Sequence, residues 1–273
     1  MTSLMQLKIW QANKVIQADP LPRATDDPRW GSQSNNFDMK TKSHIEITEA
    51  IFREAMECRM CFKQGIVEPA FIDVAQPRWI GPDYSTATTK VLIVSLNPGA
   101  GRTPEKKHSN VLFRKTLYDY KDGIISLKSL FTFQKEYIPR WGTPSGRFVK
   151  FYIDGMRLKL DEIALANIAW CADAKNKWPG AMLSQCFHLH TSRLIASVNP
   201  DVIILSATGT HKYAAQIEHL VPGCKLICTL HYAHRKGKDT EDQELKRIRK
   251  EITSMQKKVI PNKPIQPTAF DRR

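Results

Sequence analysis

The feature that most restricts the fold of this chain is a set of four short runs rich in Val, Ile and Leu. The runs span residues 91–96, 163–169, 202–205 and 226–230. Strands that are apolar along nearly their whole length suit a parallel sheet covered on both faces. Segments with helical character lie between them, at roughly 108–120, 145–159, 180–197 and 209–219. The alternation predicts an α/β fold, a three-layer α/β/α architecture around a central four-stranded parallel sheet.

The two ends of the chain differ from its centre. Residues 1–42 mix Pro, Asp, Asn, Ser and Gln with few periodic apolar residues, so we predict a flexible N-terminal arm. The interval 97–162 is long, so it should hold further helices or an insertion. We assign the folded domain to 43–236, and 237–273 to a charged helix, at about 240–258, followed by an exposed tail.

The chain is strongly basic, with 41 Lys and Arg residues against 27 Asp and Glu, and a net charge of +14. A positive field of this size concentrates polyanions, so nucleic acid is the leading class of partner, and a merely basic protein is the alternative. No run approaches the ~18 apolar residues of a membrane span, and the N-terminus lacks a secretory pattern. We therefore expect an intracellular, cytoplasmic monomer with reduced or metal-bound cysteines.

Polar and glycine-rich residues collect at the end of each predicted strand. They are Asn97-Pro98-Gly99 after the first strand, Asn167 in the second, 207–209 after the third and 231–236 after the fourth. Open parallel sheets bind ligands outside the carboxyl ends of their strands. The sequence therefore predicts a pocket at this edge of the sheet.

A second pattern involves four of the six cysteines, whose spacing is one that chance rarely produces. They are Cys58, Cys61, Cys171 and Cys186. A helix expected at about 45–57 would deliver the first pair. Four thiolates can ligate an iron–sulfur cluster or a zinc ion, and the spacing alone leaves both open. Cys224 and Cys228 fit the other common use of cysteine, as small buried apolar residues.

The strand-end residues and the cysteine frame together resemble the uracil-DNA glycosylase superfamily, over roughly residues 50–236. Its iron–sulfur branch has a C-x2-C pair before the first strand and a Cys four residues after a strand Asn, as Cys171 follows Asn167. The Asn-Pro-Gly loop at 97–99 is more like that of the mismatch-specific and single-strand-selective glycosylases. The last loop departs from the family, because His231 is followed by Tyr232 and Ala233 instead of Pro and Ser.

The resemblance implies a monofunctional DNA repair glycosylase that hydrolyses the N-glycosidic bond of uracil, or of a related deaminated base, and leaves an abasic site. It also implies DNA as the partner and a 4Fe–4S cluster, with zinc as the alternative, on the four cysteines. Two further hypotheses stay open. One is a catalytically inactive iron–sulfur or zinc protein of the same fold that binds single-stranded or damaged nucleic acid. The other is a zinc-bearing structural or regulatory protein.

The resemblance and side-chain chemistry together give the polar site residues their roles. Asn167 presents one donor and one acceptor, which complement O4 and N3–H of uracil and oppose the pattern of cytosine. His231, or His234 in its place, would donate to the uracil O2 as negative charge develops there. Asn97 would position the attacking water, or simply hold the turn before Pro98. A structural Asn and an ordinary strand-end His are the competing interpretations.

The remaining candidates line the path of the DNA. Gly99 and Gly101 would let the backbone lie close to the base or a phosphate. Pro98 is a further candidate of this loop for binding the substrate, and Phe113 is the candidate platform on which the base stacks. Trp170 and Trp178 are expected to pack around the metal. Basic residues flank the strand-end loops and are expected to hold phosphates. They are Arg102, Lys175, Lys177, Arg235 and Lys236.

Overall fold

The computed structural model describes residues 44–99, 104–141, 146–233 and 237–259. The predicted arm at 1–42 and the predicted tail beyond the last helix lie outside these residues. None of the helices in the described ranges is both long enough and apolar enough to span a membrane.

Four parallel strands form the central sheet, as the apolar runs predicted. They are β1 (Val91–Ser95), β2 (Ile163–Asn167), β3 (Val202–Ser206) and β4 (Lys225–Thr229). Their order across the sheet is β2-β1-β3-β4. The register pairs Ser95 with Asn167, so the last residues of two neighbouring strands lie side by side at the carboxyl edge.

Both faces of the sheet are buried, which confirms the three-layer α/β/α prediction. Successive side chains of a strand point to opposite faces. Leu92 and Val94 accordingly belong to one apolar cluster, and Val91 and Ile93 to a second one. Helices cover each cluster, so the near-continuous apolar runs have a physical reason.

Nine α-helices surround the sheet in the part of the chain that the structure describes. They are α1 (His44–Glu57), α2 (Met60–Lys63), α3 (His108–Lys121), α4 (Leu127–Tyr137), α5 (Gly180–Cys186), α6 (Ser192–Val198), α7 (Thr208–His211), α8 (Ala214–Leu220) and α9 (Lys238–Val259). Short 3₁₀ turns occupy Tyr84–Thr86, Pro104–Lys106, Ile138–Arg140 and Leu160–Glu162. Helix α4 lies in the long interval that was expected to hold an extra helix.

Three helix predictions differ from the structure. The segment predicted at 180–197 is α5 and α6 joined through a π-helical stretch, Phe187–Thr191. The segment predicted at 145–159 contains the π-helical stretch Val149–Asp154. The Gly155 amide donates to the Lys150 carbonyl (2.9 Å), five residues back, which is the π-helical spacing. The one at 209–219 is split into α7 and α8. Apolar spacing cannot distinguish a normal turn from a slightly wider one, so the pattern gave no warning of these changes.

An extended segment runs along the outer edge of β2. The Leu165 amide donates to the Trp79 carbonyl (2.8 Å), and the Gly81 amide donates to the Ile163 carbonyl (2.9 Å). These bonds satisfy backbone groups that the edge strand would otherwise leave open. They also place Arg78 next to the carboxyl end of β2.

Helix α9 packs as part of the domain and lies in the same compact unit as the sheet. Leu245, Ile248 and Ile252 recur at helical spacing and are 7%, 0% and 4% exposed.

We predict that Ile248→Ala lowers the free energy of unfolding by about 2–5 kcal/mol, because the truncation leaves a cavity. Urea unfolding measures it. Thr253→Ala, at an exposed position of the same helix, should change it by less than about 0.5 kcal/mol; equal effects would show that α9 is not docked.

Candidate functional site

A cavity of about 780 Å³ lies at the carboxyl edge of the sheet. Residues from separate parts of the sequence converge there, and they include six that the sequence singled out. These six are Asn97, Pro98, Gly99, Phe113, Asn167 and His231. The strand ends therefore do form a common pocket, as their position in a parallel sheet predicted.

Asn167 is the buried polar residue at the end of β2, with 4% of its surface exposed. Its neighbours assign the orientation of the carboxamide, because Arg78 Nε can only donate and the Ala166 carbonyl can only accept. Oδ1 therefore accepts from Arg78 Nε (2.9 Å) and Nδ2 donates to the Ala166 carbonyl (3.2 Å). A carboxamide oxygen has two lone pairs and its nitrogen has two hydrogens. One acceptor and one donor site therefore remain beyond these two bonds.

Arg78 is a pocket residue that sequence reasoning missed. Its guanidinium stacks on Trp141, with the Cζ atom 4.8 Å from the ring centroid. Burial lowers the pKa of Arg78 to about 10, and among the described residues only Tyr232 and Tyr137 oppose that shift electrostatically. No described carboxylate neutralises this cation. It sits in an irregular, proline-containing segment, where no periodicity marks a functional position.

The described lining of the pocket is positive. Arg78, Lys107 and Arg140 contribute to it, whereas no Asp or Glu is among the described lining residues. Lys107 and Arg140 are exposed, so they lie at the rim. Such a surface attracts anionic groups and stabilises negative charge that develops inside it.

The loop after β4 holds His231 in a defined form. The Ala233 amide donates to His231 Nδ1 (3.2 Å), so the neutral ring carries its proton on Nε2 and can donate from there. Tyr232, at the position where the family has Pro, packs against Phe148 and Tyr152, with ring centroids 5.5 Å and 5.9 Å away. The unusual residue thus anchors the loop to the core. His234, Arg235 and Lys236 lie outside the described residues.

The loop after β1 contributes Asn97, Pro98 and Gly99. The Asn97 Nδ2 donates to the Pro98 carbonyl (3.1 Å), so this side chain holds the turn, which was one of its two expected roles. Its role in positioning water stays a prediction. A Cβ atom placed on Gly99 would lie 3.8 Å from Asn176 Oδ1, so the loop that contains Asn176 borders this one.

Phe113 lines the pocket wall, but only 2% of it is exposed. Its ring stacks on Phe133 (5.9 Å, interplanar angle 7°) and on Tyr137 (5.3 Å, 30°). Little of its surface is left for a base, so Phe113 supports the wall more than it provides a platform. Tyr137, Trp141 and Tyr232 are the partly exposed aromatic residues of the described lining.

The four cysteines of the frame also converge. Hydrogen bonds from the Cys171 and Cys61 thiols lower the pKa of Cys186, and Cys58 interacts electrostatically with the same sulfur. Cys61, Cys171 and Cys186 are buried and Cys58 is partly exposed. Segments far apart in the sequence, at α2, after β2 and at the end of α5, are therefore brought to one place.

The arrangement of these thiols can be compared with the needs of a metal. Within the described ranges no group of three or more His, Cys, Asp or Glu side chains is placed so that it could hold a metal ion. The two findings are compatible, because thiols interact electrostatically whenever their sulfur atoms are neighbours. Metal ligands must in addition surround one common position, that of the metal. The donor set itself fits a soft metal or an iron–sulfur cluster, because metal binding would replace the protons that these thiols share.

The two remaining cysteines lie outside this group. Cys224 is partly buried, but Cys228 is exposed, so its expected role as a buried apolar residue is wrong. β4 is an edge strand whose residues are not all covered, and Cys228 lies on its open part.

A buried polar network connects the cysteine region to the pocket. Trp170 is 2% exposed and its Nε1 donates to Thr191 Oγ1 (2.9 Å). The Thr191 hydroxyl in turn donates to the Asn167 carbonyl (2.8 Å). Trp170 is thus buried beside Cys171, and its packing around a metal stays a prediction. Trp178 is not buried there, because 52% of it is exposed.

The loop that carries Trp178 is braced from inside by Asp173. The Asp173 Oδ2 accepts from the Lys175 amide (3.1 Å) and the Lys177 amide (3.0 Å), and Oδ1 accepts from the Glu68 amide (3.1 Å). Lys175 and Lys177, two of the predicted phosphate-binding residues, are exposed, and neither is among the described pocket-lining residues. Lys175 Nζ forms an ion pair with Glu68 (2.5 Å). Arg102, another predicted phosphate-binding residue, lies outside the described residues.

Comparison with known proteins gives no relative to set beside this site. No family model matches the chain, and no curated protein matches its sequence. The likeness to uracil-DNA glycosylases therefore rests on the residues and the pocket described above.

Proposed function

We propose that this protein is a DNA glycosylase that hydrolyses the N-glycosidic bond of uracil, or of a related deaminated base, and leaves an abasic site. The observation that carries the proposal is the single cavity to which Asn97, Asn167 and His231 come from three different strand ends. The parallel sheet brings the strand ends together, and each of the three residue types found there has a role in removing a uracil base.

Recognition falls to Asn167. The base leaves the stack, at a cost of a few kcal/mol that is smaller for mispaired or single-stranded bases. The donor and acceptor that Asn167 still has available match uracil O4 and N3–H. Cytosine presents the opposite pattern, so it would leave buried polar groups unpaired and be rejected.

Bond cleavage relies on stabilising the base as an anion. His231 Nε2–H donates to the uracil O2 while negative charge grows there. The guanidinium of Arg78 adds a positive charge that no described carboxylate cancels. Since no carboxylate is among the described lining residues, the water that attacks the sugar is positioned by neutral groups such as Asn97 instead of by a strong base.

The four cysteines would hold a 4Fe–4S cluster, with zinc as the alternative that the donor set equally permits. When bound, the group supplies structural cross-linking and no step of the hydrolysis. It would join the segment of Cys58 and Cys61 to Cys171, four residues beyond Asn167. This cross-link would hold in place the loop that follows Asn167.

The DNA would approach over the braced loop that ends in Trp178. We predict that Trp178→Ala weakens binding to single-stranded DNA about tenfold, because base–aromatic stacking contributes ~1–3 kcal/mol. Fluorescence anisotropy with a labelled oligonucleotide measures it. Ile124→Ala, which truncates another exposed apolar residue (70% exposed) outside the described pocket lining, is the control. Equal affinities of the two variants would remove Trp178 from the interface.

One observation favours a second candidate function. The Asn97 side chain is engaged by its own loop, and no described carboxylate is available to activate water. A protein of this kind could bind single-stranded or damaged nucleic acid without cleaving it, through its net charge of +14.

A cleavage assay separates the two functions. Anaerobically purified protein is incubated with oligonucleotides that carry uracil, thymine or cytosine at one position, and strands are treated with alkali. The glycosylase proposal expects alkali-dependent breaks at uracil and none at cytosine. Tight binding of the oligonucleotides without strand breaks at uracil or any other deaminated base would contradict the glycosylase proposal and support the non-catalytic function.

A further inference from the structure

Arg78 and Asn167 form a pair to which neither the sequence pattern nor the resemblance assigns a role. We propose that Arg78 fixes the orientation of the Asn167 carboxamide and thereby decides that the pocket accepts a keto base and rejects an amino base. The second half of this inference rests on the proposed glycosylase function. Arg78 is here a positioning residue, because it acts through Asn167.

The physical problem is that a carboxamide has nearly the same shape in two orientations. Rotated by half a turn, Asn167 would present the opposite order of donor and acceptor, which suits cytosine as well as the present order suits uracil. An asparagine alone therefore does not specify the base. A neighbouring group must make one orientation lower in free energy.

Arg78 is suited to this because a guanidinium only donates. In the orientation that these neighbours assign to the carboxamide, Arg78 Nε donates to Asn167 Oδ1 (2.9 Å), and Asn167 Nδ2 donates to the Ala166 carbonyl (3.2 Å). In the reversed orientation, two donors would face each other at Arg78 and two acceptors at Ala166. An unsatisfied buried group costs ~1–3 kcal/mol, which corresponds to roughly a tenfold or greater preference.

Arg78 is itself held in place. Its guanidinium stacks on Trp141 (4.8 Å), and the next residue, Trp79, is bonded through its carbonyl to the Leu165 amide (2.8 Å). On the other side, the Pro77 carbonyl accepts from the buried Gln134 Nε2 (2.7 Å). The donor that orients Asn167 therefore lies on a backbone fixed to β2 and α4.

The test compares two substitutions of Arg78. Arg78→Met removes the donor, whereas Arg78→Lys keeps a side chain that, like the guanidinium, only donates hydrogen bonds. We expect Arg78→Met to lower the ratio of kcat/KM for uracil to that for cytosine at least ~10-fold. Arg78→Lys should retain most of the ratio. Arg140→Met, which removes a rim cation instead, should leave the ratio unchanged. An unchanged ratio in Arg78→Met overturns the inference.

A second readout does not depend on catalysis. The side-chain amide of Asn167, identified in nitrogen-15 NMR spectra by its loss in Asn167→Asp, should be protected from hydrogen exchange in the unmodified protein. We expect protection to disappear in Arg78→Met and to persist in Arg78→Lys and Arg140→Met, with folding checked in the same spectra. If Asn167 stays protected in Arg78→Met, the orienting role is refuted, whether or not the protein cleaves uracil. If protection is lost in Arg78→Met but the unmodified protein cleaves no uracil, only the proposed function is refuted.

Discussion

Replacing Asn167 by Asp should lower kcat/KM for uracil release by at least ~100-fold, the size of effect seen when one positioned donor is removed from a site of this kind. Aspartate has the same shape, but it only accepts hydrogen bonds when ionised. It would face the acceptor O4 of uracil without a donor, and it would pair with Arg78, whose charge would then be cancelled. Steady-state cleavage of a uracil oligonucleotide measures the loss.

The matched control is Asn199→Asp, at an exposed position after α6. It makes the same chemical change away from the pocket and should leave the rate within twofold, roughly the scale of surface substitutions. If Asn167→Asp and Asn199→Asp cleave uracil equally well, Asn167 does not recognise the base.

Cys171→Ser should remove most of the bound iron and lower the melting temperature by about 10 °C or more, because metal-binding free energy is folding free energy in such sites. The buried thiol of Cys171 lies beside Cys186 within the four-cysteine group, so its replacement removes one of the four candidate ligands. Iron and sulfide analysis and a thermal melt of the anaerobic protein measure both effects.

Cys224→Ser is the control, because Cys224 lies outside the group. It should keep the full iron content. Zinc without iron in the unmodified protein would contradict the 4Fe–4S assignment while leaving the four-thiolate site in place. No metal of any kind, with equal stability of the two variants, would show that the thiols are only packed together.

The sheet and the meeting of strand ends could be predicted because they follow from strong, local signals. Four near-continuous apolar runs have few alternatives to buried parallel strands, and parallel strands necessarily bring their carboxyl ends to one edge. The sequence alone therefore predicts that Asn167 and His231 lie in one pocket. The cysteine spacing likewise pointed to neighbours in space, since Cys58 and Cys61 lie near Cys171 across more than one hundred residues. The metal itself stays a prediction.

Arg78 and Trp178 could not be predicted, because their positions depend on long-range packing of irregular segments. Arg78 reaches the pocket through an extended segment that bonds to the edge of β2, and no periodic pattern encodes that pairing. Trp178 is an aromatic residue beside a cysteine, which favours burial, yet the loop held by Asp173 leaves it exposed. The π-helical stretches were missed for a similar reason, since apolar spacing tolerates both turn widths.

The most direct test of the account is the release of free base. Iron-loaded protein in excess is mixed with single- and double-stranded oligonucleotides that contain one uracil, and free uracil and abasic sites are both quantified by mass spectrometry. The account predicts one uracil for each abasic site, with cytosine and thymine left in place. Protein that binds these oligonucleotides, holds its metal and releases no base from them would contradict it.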